Sequence, residues 1–168
     1  FADYGARVVN LEPPQGFSTR RIEPLLNNGN SAIHGYLHAN KESVCCDDPL
    51  TTHPAIAAAD LVLLDLSTLP SSVSVDDFDT NVCAISWYGL NGPYADFNGS
   101  DASIYALTGV MQGVGEAQGP PIIPTGYQPQ IVGGLSAFNG AAAYLLGQHL
   151  KGDDKPAAFC LDASIWEA

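Results

Sequence analysis

The sequence predicts an α/β domain built on an open, mostly parallel sheet with flanking helices. Short apolar runs at residues 6–11 (ARVVNL), 61–66 (LVLLDL) and Val82–Ser86 alternate with helix-forming segments through short links. That alternation is the mark of parallel strands joined by right-handed crossovers. The run at 61–66 is almost continuously apolar, as in a strand covered on both faces. At 168 residues the chain suits one such domain with a sizeable core. The expectation is a single domain over 1–168 in which these three strands are adjacent and parallel.

The elements follow in order. Phe1-Ala2-Asp3-Tyr4-Gly5 reads as the last turn of a helix, stopped by Gly5. With no Met at its start, the chain implies upstream sequence, and apolar surface left exposed where further chain would pack. After the 6–11 strand and Glu12-Pro13-Pro14, residues 15–30 are polar, rich in Asn and Gly, and read as loop. Residues 43–46 form a short strand between Lys41 and the pair Asp47-Asp48. Residues 53–59 form a short helix with Pro54 in its first turn, where a missing N–H costs nothing. An acidic connection, 71–80, leads to the strand Val82–Ser86. A Gly/Pro loop at 89–99 precedes a helix that starts near Ser100 and Asp101 and fades at Gly113 and Gly115. A second Gly/Pro loop at 119–129 precedes a long helix at 130–150, stopped by Gly152, and residues 157–165 make a final strand. Loops placed just past α/β elements are where such folds bind ligands. In the long helix, Gly133, Gly140 and Gly147 recur every seven residues. The stripe fits either close packing on the sheet or a subunit interface.

Charge narrows the function. Six Lys and Arg against eighteen Asp and Glu leave a formal charge of −12. Such a surface repels nucleic acid and anionic lipid, so neither is expected as a partner. No apolar run reaches membrane-spanning length. Cys45, Cys46, Cys83 and Cys160 include no C-x-x-C spacing and read as buried thiols of a reducing compartment, hence a cytoplasmic protein. His34 and His38 have the i, i+4 spacing of a metal pair on a helix, but Gly35 and the surrounding Asn and Gly weaken the helix, and no third ligand is evident. Two surface histidines and no metal are expected. No G-x-G-x-x-G follows the first strand, and no G-x-S-x-G occurs.

Several segments, in order, resemble the class III CoA-transferases, the family of formyl-CoA transferase, carnitine CoA-transferase and α-methylacyl-CoA racemase. ADYGARVVNLEPPQG resembles its helix end, strand and Glu-Pro-Pro loop. Asn40-Lys41-Glu42-Ser43-Val44 resembles its Asn-Lys-Arg-Ser motif, and Ala59-Asp60-Leu61-Val62-Leu63 its Ala-Asp-Val strand. Tyr88-Gly89-Leu90-Asn91-Gly92-Pro93-Tyr94 and Gly115-Glu116-Ala117-Gln118-Gly119-Pro120-Pro121 resemble its two loops. Leu161-Asp162-Ala163-Ser164 resembles the strand after its long helix. The resemblance implies a Rossmann-like sheet incomplete at both ends: the family's first strand and helix would precede Phe1, and more than half of its usual length would follow Ala168.

The resemblance also implies a chemistry and a departure from it. In the family an aspartate attacks an acyl-CoA thioester, forms a mixed anhydride and frees CoA for a carboxylic acid acceptor. Counted from Gly119-Pro120-Pro121, that position is Gln130, an amide that cannot serve. From Ala102 to Gly152 the only acidic residue is Glu116. The racemase histidine, just before Asp101, is Ser100 here. Asp101 and Glu116 are the remaining candidates for an acid or base. For the CoA phosphates the resemblance implies Arg20 or Arg21, and Lys41. Beside the adenine, Asp65-Leu66 replaces an Asn-Phe pair. Glu42 replaces the next arginine, and Pro49 stands where a lysine is usual.

Three readings follow. The chain is a CoA-transferase-like subunit or half without the catalytic aspartate, served by another copy or a catalytic partner domain. Alternatively it is a CoA-dependent enzyme using Asp101 or Glu116, or a structural or assembly domain that has lost its ligand.

Overall fold

The computed structural model describes residues 1–46, 50–152 and 158–168, with the side chain of Leu50 left out of the description. The chain forms two compact units, Phe1–Ala58 and Ala59–Ala168.

In the first unit, β1 (Val9–Glu12) and β2 (Glu42–Cys45) form a parallel pair with Val9 opposite Glu42 and Glu12 opposite Cys45. A 3-10 turn (Ser18–Arg21) and α1 (Ala32–Leu37) lie between them, and α2 (Pro54–Ala57) follows. The weakened helix at His34 is a helix after all. Its start signal is Ser31, whose hydroxyl accepts the His34 backbone N–H and satisfies a donor that the first turn leaves free. The expected pairing of the first strand with residues 61–66 is corrected: β1 pairs with β2, in a sheet of its own. Side chains show why. The Arg7 guanidinium donates twice to the Glu42 carboxylate, at 2.8 and 2.9 Å, and Glu12 at the far end of β1 accepts from the Ser43 hydroxyl of β2. Apolar alternation marks the faces of a strand and says nothing of its neighbour.

In the second unit, β3 (Val62–Asp65), β4 (Val82–Ser86) and β5 (Cys160–Ser164) form a parallel sheet in the order β3-β4-β5. Val62 lies opposite Val82, and Val82 opposite Cys160. The parallel pairing of the 61–66 and Val82–Ser86 strands thus holds. Coverage on both faces does not hold for β3. Val62 and Leu64 are buried, but Leu63 on the opposite face is 46% exposed, so one face of this strand is left uncovered. The doubly covered strand is the central β4, where Cys83 and Ala84 are fully buried.

Two helices complete this unit, α3 (Asp101–Leu107) and α4 (Gln128–Lys151). α3 is shorter than its sequence pattern. It ends at Thr108, and Gly109, with φ +75°, starts a separate 3-10 turn at Val110–Gly113. α4 starts two residues earlier than expected, with Pro129 in its first turn, and stops at Gly152 in the left-handed conformation. Ala137 and Ala141 of α4 are buried with Val82, Cys83 and Ala163, while Ile131, Leu135, Leu146 and Leu150 are exposed.

The seven-residue glycine stripe resolves position by position. A Cβ at Gly133 would lie 2.8 Å from Cγ1 of Ile165, and one at Gly140 would lie 2.9 Å from Cδ2 of Leu161. Both glycines let α4 close on the chain at β5. A Cβ at Gly147 would meet nothing within 4 Å. Gly133→Val is therefore expected to cost about 2 kcal/mol through overpacking. Gly147→Ala is expected to gain about 1 kcal/mol from helix propensity. Urea unfolding of the two variants measures both, and equal effects would refute the packing account.

The thiols also differ from expectation. None of the four cysteines is in a disulfide, but Cys83 alone is buried; Cys45 and Cys160 are exposed and Cys46 is half-buried. Burial pushes the Cys83 thiol up to about 11. Among the described residues, no helix is long and apolar enough to cross a membrane.

Candidate active site

The loop after β4 is anchored before it reaches α3. Ser86 Oγ accepts the Gly89 N–H at 2.8 Å, and Asp162 on β5 accepts the Leu90 N–H at 2.8 Å. Gly89 has φ +90°, which favours a residue without Cβ. Farther on, Gly99 lies against the Trp87 side chain, where a Cβ would clash. Ser100 then caps α3. Its hydroxyl accepts the Ser103 N–H, and the Ser103 hydroxyl accepts the Ser100 N–H. The Tyr88 hydroxyl and Ser103 Oγ are 2.9 Å apart, tying the end of β4 to the same cap.

This cap places Asp101 in the first turn of α3, where an aspartate is favoured by the helix dipole. The first turn of α4 brings Gln130 to it. Gln130 Nε2 donates to Asp101 Oδ2 at 2.7 Å, across 29 residues of sequence. Gln130, expected from the resemblance to stand at the nucleophile position, is thus a hydrogen-bond donor here, and its partner is one of the two carboxylates expected as candidates. Among the described residues, Asp101 Oδ1 is buried and has no hydrogen-bond partner. One turn along α3, the buried Tyr105 hydroxyl is also unpartnered. Burial raises its pKa, and the Asp101 charge raises it further. Glu116 takes no part. It is exposed, in a turn where its carbonyl accepts the Gly119 N–H.

The predicted CoA-binding residues have structural partners of their own. Arg20 donates from Nε and Nη2 to the two oxygens of Glu12, each at 2.6 Å. Glu12 is 3% exposed and also accepts from Ser43 Oγ and the Phe17 N–H. Arg20, chiefly, holds the Glu12 carboxyl down at about 2, against the opposing effect of burial. Arg21 donates to the Gln15 carbonyl at 3.0 Å, and Lys41 to the Leu37 carbonyl at 2.7 Å. In the second unit, Asp65 closes the turn after β3: Oδ1 accepts from the Ser67 N–H and hydroxyl, at 3.0 and 2.6 Å. Leu66 donates its N–H to Ile85 O. Pro49 lies outside the described residues.

Sequence reasoning weighed His34 and His38 only as a metal pair or as two surface histidines, and both are half-buried. His34 and His38 stack with ring centroids 4.3 Å apart, and Phe17 lies against His38. Thr19 Oγ1 is 2.8 Å from His34 Nδ1, and Asn10 Nδ2 is 2.9 Å from His38 Nδ1. The i, i+4 spacing was the available signal, and the Ser31 cap is what makes it helical. Among the described residues, no group of three or more His, Cys, Asp or Glu is placed to hold a metal ion.

The profile of CoA-transferase family III matches residues 1–61 and 82–158. A mouse succinyl-CoA:glutarate CoA-transferase is 28% identical over 165 residues, covering 89% of this chain and 38% of the relative. A succinate–glutarate CoA-transferase of Agrobacterium fabrum is 26% identical over 176 residues, covering 89% of this chain and 44% of the relative. The crystal structure of a CAIB/BAIF family protein from Brucella suis superposes with a TM-score of 0.78 at 24% identity, over 98% of this chain and 47% of that one. Rv3272 from M. tuberculosis gives 0.76 at 24% identity, over 98% and 49%. These structures share the fold, and the chain spans less than half the length of each of these relatives. The chain belongs to CoA-transferase family III.

Proposed function

We propose that this chain is a CoA-transferase domain without its own nucleophile, part of a protein that handles an acyl-CoA and a carboxylic acid. One observation carries the reading: the amide at position 130 donates to Asp101. The mixed anhydride forms only by attack of a carboxylate oxygen, and an amide with its lone pair delocalised cannot form it. Another copy of the chain, or a catalytic partner domain, supplies the carboxylate. The named activities of the relatives suggest succinyl-CoA as a probe. Thiols rather than disulfides fit a cytoplasmic setting.

A second reading rests on Asp101 Oδ1. A buried carboxylate oxygen without a donor is what a nucleophile or base presents to substrate. Incubation with succinyl-CoA and hydroxylamine separates the two. No acyl-enzyme on this chain is expected by mass spectrometry. A hydroxamate mapped to Asp101 would transfer the chemistry to that residue and end the first reading.

A further inference from the structure

The stacked histidines of α1 have an arrangement that the acyl-transfer reading leaves unused. The Asn10 amide nitrogen can only donate, so His38 Nδ1 accepts, and the neutral ring carries its proton on Nε2. The Thr19 hydroxyl can donate to His34 Nδ1 in the same way, setting the same tautomer. Neither Nε2 has a hydrogen-bond partner among the described residues. Two stacked rings, their planes 26° apart, thus offer two N–H donors from one helix face. Donors rather than lone pairs suit an anion and not a metal ion.

Two cations act on the pair. Lys41 Nζ is held at the Leu37 carbonyl, next in sequence to His38. Arg20 adjoins Thr19, the partner of His34. Of the charged groups acting on the rings among the described residues, Arg20 and Glu12 match each other, which leaves Lys41 as the unmatched charge. The chain's net charge of −12 is spread over the whole molecule and is screened beyond about 10 Å.

We propose that His34, His38 and Lys41 form a binding site for a phosphate or pyrophosphate group. The nearest source of such a group is the phosphates of CoA, an assignment that rests on the function proposed above. The anion site itself does not depend on it. Both rings are held below the ordinary histidine range, first by burial, then by Arg20 for His34 and by its stacked neighbour for His38. They are therefore neutral at pH 8 in the free protein. A bound anion raises both values, so binding takes up protons and tightens as pH falls.

Calorimetric titration of the protein with inorganic pyrophosphate tests this. Affinity is expected to be about tenfold higher at pH 6 than at pH 8, the change that a net uptake of about half a proton on binding produces over this range. His34→Gln and His38→Gln should each weaken binding at pH 6 and flatten the pH dependence. Arg7→Gln, which removes a cation paired with Glu42 elsewhere on the unit, should leave it unchanged. Proton NMR of the unaltered protein guards against misfolded variants: pyrophosphate should raise the titration midpoints of two histidines. Equal affinity at both pH values, unmoved midpoints, or full binding in a folded His34→Gln/His38→Gln double variant would overturn the site. Competition between CoA and pyrophosphate supports CoA as the source. Pyrophosphate binding that CoA does not displace overturns that assignment and keeps the anion site. The hydroxylamine experiment reports on the acyl-transfer reading separately.

Discussion

Glu12→Gln is expected to lower the unfolding free energy by about 2–3 kcal/mol at pH 7. The carboxylate ends β1, is 3% exposed, and accepts from Arg20, Ser43 and Phe17. Glutamine keeps the shape but presents an N–H where Arg20 or Ser43 already donates. The loss stays below that of a fully buried pair because the Arg20 side chain is 42% exposed and can turn to water. The effect depends on pH. The Glu12 carboxyl falls from 4.5 to about 2 in the folded protein. A lowered carboxyl contributes stability in full above its unfolded value and loses it as pH falls through the folded one. The two proteins should therefore differ most above pH 4.5 and converge near pH 2. Guanidinium unfolding between these limits measures the difference. A constant gap across the range would show that the carboxylate charge is not what the pair uses.

Gln130→Glu should produce a pH dependence of the opposite sign. The substitution keeps the length of the side chain and puts a carboxylate oxygen where Nε2 now lies 2.7 Å from Asp101 Oδ2. Two carboxylates at that distance share one proton, and the folded-state pKa of the pair rises above its unfolded values. A raised value gives stability below the unfolded pKa that is lost as pH climbs through the folded one. The variant should match the parent near pH 4 and fall about 2 kcal/mol below it at pH 7, where Asp101 also lacks its donor. Position 130 is exposed, so rotation into solvent limits the penalty. Unfolding curves at the two pH values decide. No difference at pH 7 would mean that the Gln130–Asp101 bond contributes nothing, and the observation behind the proposed function would lose its weight.

The sequence by itself determined the α/β class, the parallel pairing of the 61–66 and Val82–Ser86 strands, the long helix with its Gly152 stop, and the family. Each rests on local chemistry or on motif order: apolar runs, a glycine that takes the left-handed conformation, a Pro in a first turn. It also showed that position 130 is an amide. Only the tertiary structure decided which strand β1 joins, because the choice turns on Arg7, Glu12, Glu42 and Ser43 meeting across some thirty residues. The same holds for the fate of Arg20, whose charge a sequence reads as available and the fold commits to Glu12. It holds for the joining of Asp101 to Gln130, and for the stacking of His34 on His38 once Ser31 had started their helix. Spacing fixes which face of an element a side chain takes; the partner it finds there depends on how distant elements pack.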